Sequence, residues 1–88
     1  MKELINVQMK VHGNSVEITN QQEFTLSLKT WRLRHGYTQE QAGKMFGCSR
    51  YTIMRCEAGA KLSWETVYKI FVKLLDEVEK ERRHENFS

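Results

Sequence analysis

The twenty residues from Thr38 to Glu57 constrain this chain most, because they carry two full sets of helix start and stop signals in succession. Thr38 is a favourable N-cap, and Gln41, three residues on, completes a capping box in which side chain and backbone satisfy each other. Phe46 closes that helix, and Gly47 follows where a left-handed residue is wanted. Ser49 then caps a second helix running from about Arg50 to Ala58, and Gly59 stops it.

Two short helices joined by a glycine-bearing turn form the pattern of a helix-turn-helix, whose second helix commonly lies in the major groove of DNA. From Leu28 to about Leu75 the chain resembles the Cro- and lambda-repressor-like (XRE-type) helix-turn-helix family. The resemblance is carried by Leu28, Arg32, Gly36, Thr38-Gln39-Glu40, Gly47, Ser49-Arg50, Thr52-Ile53, Arg55, Glu57, Gly59, Ser63 and Glu65-Thr66. The chain departs from the family at Ala42 (usually leucine), Gly43 (usually alanine), Ala58 (usually asparagine) and Leu62 (usually proline). Phe71, where alanine is usual, suggests a compensating exchange of size with Ala42.

Charge follows the same segment. Residues 28–61 hold seven basic and two acidic residues, a balance of +5, whereas the flanking stretches are each at −1 and the whole chain is at +3. Positive charge concentrated on one segment is what phosphate neutralisation requires.

Before that segment, Ile5, Val7, Met9 and Val11 alternate with polar residues, and Val16 and Ile18 alternate again after His12-Gly13-Asn14-Ser15. Period two with a glycine-bearing break predicts a β-hairpin. A Gly13-Asn14 loop pairs Val11 with Val16, Lys10 with Glu17 and Met9 with Ile18. Asn20 and Glu23 read as a capping box for a helix from about Gln21 to His35, ended by Gly36. Phe24, Leu28 and Trp31 share its core face. Leu26 and Leu33 lie opposite, where the hairpin is expected to cover them. Gly43 costs its helix about 1 kcal/mol relative to alanine, and the resemblance implies that it permits close approach of the following helix.

Ser63 starts a last helix whose stripe reads Trp64, Val67, Phe71, Leu74, Leu75 and Val78, with Ile70 at the edge. The charged run from Asp76 continues it, since Asp76–Lys80 and Glu79–Arg83 are favourably spaced. The expected fold is a mainly α, four-to-five-helix domain with an N-terminal β-hairpin and a long C-terminal helix. It divides into a hairpin over residues 1–19, a core over 20–75 and a charged extension over 76–88.

The resemblance implies DNA contacts by Gln39, Lys44, Ser49, Arg50, Tyr51, Thr52, Arg55 and Lys61, with Arg32 and Glu57 as an internal salt bridge. Arg50 and Arg55 suit guanine through bidentate bonding, with phosphate the rival partner for both and above all for Arg55, and Gln39, Lys44 and Lys61 suit phosphate. Ile5 and Val7 on the strand, with Leu75 and Val78 on the last helix, read as leftover apolar surface and candidate dimerisation residues. The function expected is a sequence-specific transcriptional repressor, a homodimer on a palindromic operator. The alternative is an antitoxin-type module whose protein partner is a toxin and whose DNA binding is autoregulatory.

Cys48 and Cys56 lack zinc spacing and read as core. His12, His35 and His84 are scattered and there is no glycine-rich phosphate loop, so neither a cofactor nor enzyme activity is expected. No apolar run is long enough for a membrane span and no signal-peptide layout is present, which points to the cytoplasm.

Overall fold

The computed structural model describes residues 3–87, with side chains through Arg83. Two strands, β1 (Met9–His12) and β2 (Ser15–Ile18), precede four helices. These are α1 (Gln21–Arg34), α2 (Gln39–Phe46), α3 (Arg50–Glu57) and α4 (Trp64–Phe87). The hairpin has the register read from the sequence, with Met9 opposite Ile18, Lys10 opposite Glu17 and Val11 opposite Val16. Gly13 opens the loop at φ 58°, the conformation that a glycine-first two-residue loop requires. Thr19 adds a further rung, since its backbone N–H donates to the Gln8 carbonyl at 2.8 Å and its hydroxyl accepts from Gln8 N–H at 2.8 Å.

Ahead of β1 the expected strand gives way to a turn over residues 3–6, in which Leu4 and Asn6 both adopt φ 64°. The Leu4 N–H donates to the buried Ser27 hydroxyl at 2.8 Å, which ties the turn to α1. Leu4 and Val7 thereby enter the core, and Ile5 points to solvent. Val78 is also fully buried, and Leu75 packs partly buried against the same cluster. Val7 and Val78 are therefore interior residues rather than leftover surface, because the N-terminal turn and α4 bury them within one chain. Among the described residues β1 begins at Met9, so Ile5 and Val7 lie outside the strand expected to carry them.

Asn20 does not cap α1 through its side chain; it sits at φ 57°, a left-handed bend that lets the chain swing from β2 into the helix. Phe24, Leu28 and Trp31 are buried as expected. Leu26 and Leu33 stay 56% and 58% exposed, because the hairpin packs on α4 and leaves that face of α1 uncovered. Along α4 the stripe is rotated from the expected one. Ile70 lies at the centre with Phe71, Leu74 and Val78, while Trp64 is 43% exposed. Phe71 packs its ring on Phe24 at 5.8 Å, and Ala42 belongs to the same buried cluster.

The far end of α4 clasps the N-terminal turn. Arg34 donates to Glu3 at 3.0 Å and to Glu81 at 2.7 Å, His35 also pairs with Glu81, and Arg82 donates to the Glu3 carbonyl at 2.8 Å. Burial alone would push the Glu81 carboxyl up, but the hydrogen bonds from Arg34 and His35 outweigh it and hold it below the usual range. A depressed carboxylate contributes stability above its unfolded value, near 4.3, that is lost as pH falls through the folded value. Urea titrations should therefore show Glu81→Gln flattening the acid limb of stability below about pH 4.5. In the same assay Leu74→Ala should cost about 2–5 kcal/mol, while Leu26→Ala stays within about 0.5 kcal/mol of wild type.

Candidate functional site

α2 and α3 meet through the local signals that the sequence provides. Thr38 Oγ1 accepts from the Gln41 N–H at 3.0 Å, and Gln41 Oε1 accepts from the Thr38 N–H at 2.8 Å. Gly47 turns the chain at φ 74°, and the Cys48 N–H returns to the Gly43 carbonyl at 2.8 Å. Ser49 Oγ accepts from the Thr52 N–H at 3.1 Å to start α3. Inward, Ala42 and Phe46 pack with Ile53 and Cys56 in the buried cluster. A Cβ on Gly43 would lie 2.7 Å from the Cys48 carbonyl oxygen, so only glycine admits this approach.

Behind α3, Arg32 makes a bidentate ion pair with Glu57, Nε to Oε2 at 2.6 Å and Nη2 to Oε1 at 2.9 Å. Its third nitrogen donates to the Tyr37 carbonyl at 3.0 Å. Hydrogen bonding to Glu57 raises the Arg32 pKa against the opposing effect of burial, so the guanidinium stays charged. Gln39 Nε2 also donates to Glu57, at 3.3 Å. The amide expected to hold phosphate is thus turned inward to complete the ion-pair network.

The outward face of α3 carries Arg50, Tyr51, Met54 and Arg55, and its first turn has no acidic residue. Arg50 is exposed and has no partner among the described residues. It shares a shallow hollow with Lys44, Ser49, Cys48 and Glu40. Lys44 is 79% exposed, with Glu40 4.0 Å away. Arg55 behaves differently. Its guanidinium lies 5.7 Å from the centre of the Tyr51 ring, and Nη2 donates to the Lys61 carbonyl at 3.4 Å. Thr52 shares a 3.0 Å hydrogen bond with Ser49 and is half-buried, so both hydroxyls are engaged in the cap.

Compared with protein-family models, curated proteins and solved structures, the chain matches none.

Sequence reasoning missed Lys69, which reaches from α4 to donate to the Gly47 carbonyl at 3.1 Å and places a cation beside the α2–α3 turn. A lysine satisfying a helix-end carbonyl is familiar, but nothing local to Gly47 signals a donor 22 residues away. It also missed Tyr37, which supplies the carbonyl for Arg32 and packs its ring on Trp31 and His35. Of the cysteines, Cys56 is buried and burial pushes its thiol up to about 12, while Cys48 is half-buried with a thiol raised by burial against the opposing positive charge of Lys69.

Thiol labelling followed by mass spectrometry should modify Cys48 first in the native protein and Cys56 only on unfolding. Gly43→Ala should destabilise the fold by about 1–3 kcal/mol in thermal or urea melts, overriding alanine's better helix propensity.

Proposed function

We propose that α2 and α3 form a helix-turn-helix of the lambda-repressor-like kind and that the chain is a sequence-specific double-stranded DNA-binding transcriptional regulator, a repressor acting as a homodimer on a palindromic operator. The observation that carries this reading is the outward face of α3, with an unpartnered Arg50 at its N-terminal end and Tyr51 and Arg55 beside it. An unpartnered arginine at the start of such a helix suits bidentate bonding to guanine O6 and N7. Exposed Lys44 beside it and exposed Lys61 past the far end of α3 suit phosphate, while Ser49 serves by capping the helix.

Arg55 takes a supporting role in this reading. Tethered between Tyr51 and the Lys61 carbonyl, it is better suited to a backbone phosphate or to a base at the margin of the groove than to a second central guanine. Gln39, bonded to Glu57, acts by holding α2 against α3.

The test begins with selection of bound sequences from a random DNA pool, followed by binding across a salt series. Arg50→Ala should cost about 1–3 kcal/mol on the selected site and relax the preference at one position per half-site. Lys44→Ala should weaken selected and scrambled DNA alike and reduce the salt slope by about one. Equal losses on both DNAs for Arg50→Ala, with preference intact, would make Arg50 a phosphate anchor and overturn its base-reading role.

A further inference from the structure

One face of α4 has no partner among the described residues of the chain. Trp64, Tyr68 and Val72 are 43%, 43% and 42% exposed, and their spacing of four residues lines them up along the helix beside half-buried Leu75. Large apolar side chains aligned over two turns of a helix mark an interaction surface rather than scattered exposure. On α1 the exposed leucines, Leu26 and Leu33, are separated by Lys29 and Thr30 and form no such continuous stripe.

The charges bordering the α4 stripe identify its occupant. Lys69 and Glu65 precede the centre, Asp76 and Lys80 follow it, and exposed Glu79, one turn past Leu75, ends the apolar stretch on the same face. We propose that this face pairs with the same face of a second copy of the chain, the two α4 helices running antiparallel about a two-fold axis between Val72 and Lys73. That axis sets Lys69 level with Asp76 of the second copy and Glu65 level with Lys80 of the second copy. The two-fold repeats each pair, as an isologous interface requires. Along the seam, Val72 meets its own symmetry mate within about one residue rise of 1.5 Å. Tyr68 reaches Leu75 of the second copy, and Trp64 covers the aliphatic stem of Lys80 of the second copy.

A parallel pairing sets each residue beside its own number, so Lys69 would face Lys69 and Asp76 would face Asp76. The charge pattern therefore selects the antiparallel orientation. Existing bonds offer little resistance. Lys69 donates to a neutral carbonyl, which leaves its charge uncompensated, and the Asp76–Lys80 pair at 3.1 Å is half-exposed and weak. The interface involves none of the α3 residues assigned to DNA and stands whether or not DNA is bound.

Sedimentation of the full chain without DNA, across the micromolar range, tests it. The expected result is a monomer–dimer equilibrium in which Val72→Glu raises the dissociation constant about a hundredfold. Tyr68→Arg, also at an exposed position, should do the same, and circular dichroism should show both variants folded. Lys69→Asp and Asp76→Lys should each weaken the dimer, and the double variant should restore it by exchanging the partners. A wild-type chain that stays monomeric overturns the proposal. So does a dimer insensitive to both Val72→Glu and Tyr68→Arg, or a double variant no better than its parents.

Discussion

The buried ion pair between Arg32 and Glu57 is the constraint on which the arrangement of helices depends. Two charges largely removed from water are tolerable only when each is met by the other in good geometry. Here the guanidinium spends all three of its nitrogens, two on Glu57 and one on the Tyr37 carbonyl. Those bonds fix the distance and rotation of α3 against α1, because a planar fork admits little freedom about a carboxylate. Gln39 joins the same carboxylate from the start of α2. One acidic side chain at the end of α3 thus gathers three helices, and the exposed side of α3 inherits its direction from the buried side.

Glycine completes that positioning from the opposite edge. At Gly43 the backbone of the turn comes so near to α2 that any side chain would meet the Cys48 carbonyl. α3 is therefore held by an electrostatic bond at its C-terminal end and by steric contact near its N-terminal end. The proposed recognition surface lies between these two fixed points. Its arginines differ in freedom: Arg55 lies by the Tyr51 ring and bonds the Lys61 carbonyl of the α3–α4 loop, whereas Arg50, at the other end, has no partner among the described residues.

What the sequence revealed was mostly what neighbouring residues decide among themselves. The caps at Thr38 and Ser49, the left-handed Gly47 and Gly59, and the hairpin register all rest on interactions a few residues long, and all are present. The errors lie where distant segments compete. Asn20 has the chemistry of a cap, but the path from β2 into α1 demands a left-handed bend there. Alternation from residue 4 onward imitates a strand, yet the bond from Leu4 to Ser27 folds that stretch into a turn. Periodicity on α4 defined a broad apolar arc, and only the position of its neighbours decided that Ile70 faces inward and Trp64 outward. The candidate site was legible to the extent that it sits on α3, and the inward turn of Gln39 was not, since it depends on where Glu57 lies in space.

The clasp between the N-terminal turn and the far end of α4 has a consequence for how the chain acquires its structure. Arg82 bonds the Glu3 carbonyl across 79 positions, and Arg34 bridges Glu3 and Glu81. During synthesis the hairpin and the first three helices are made before the residues of α4 that seal Leu4 and Val7. Closing so long a loop carries an entropic cost that local contacts do not meet. The core around α1 to α3 is therefore closed only when α4 packs on it, because Ile70, Phe71, Leu74 and Val78 supply one side of the buried cluster.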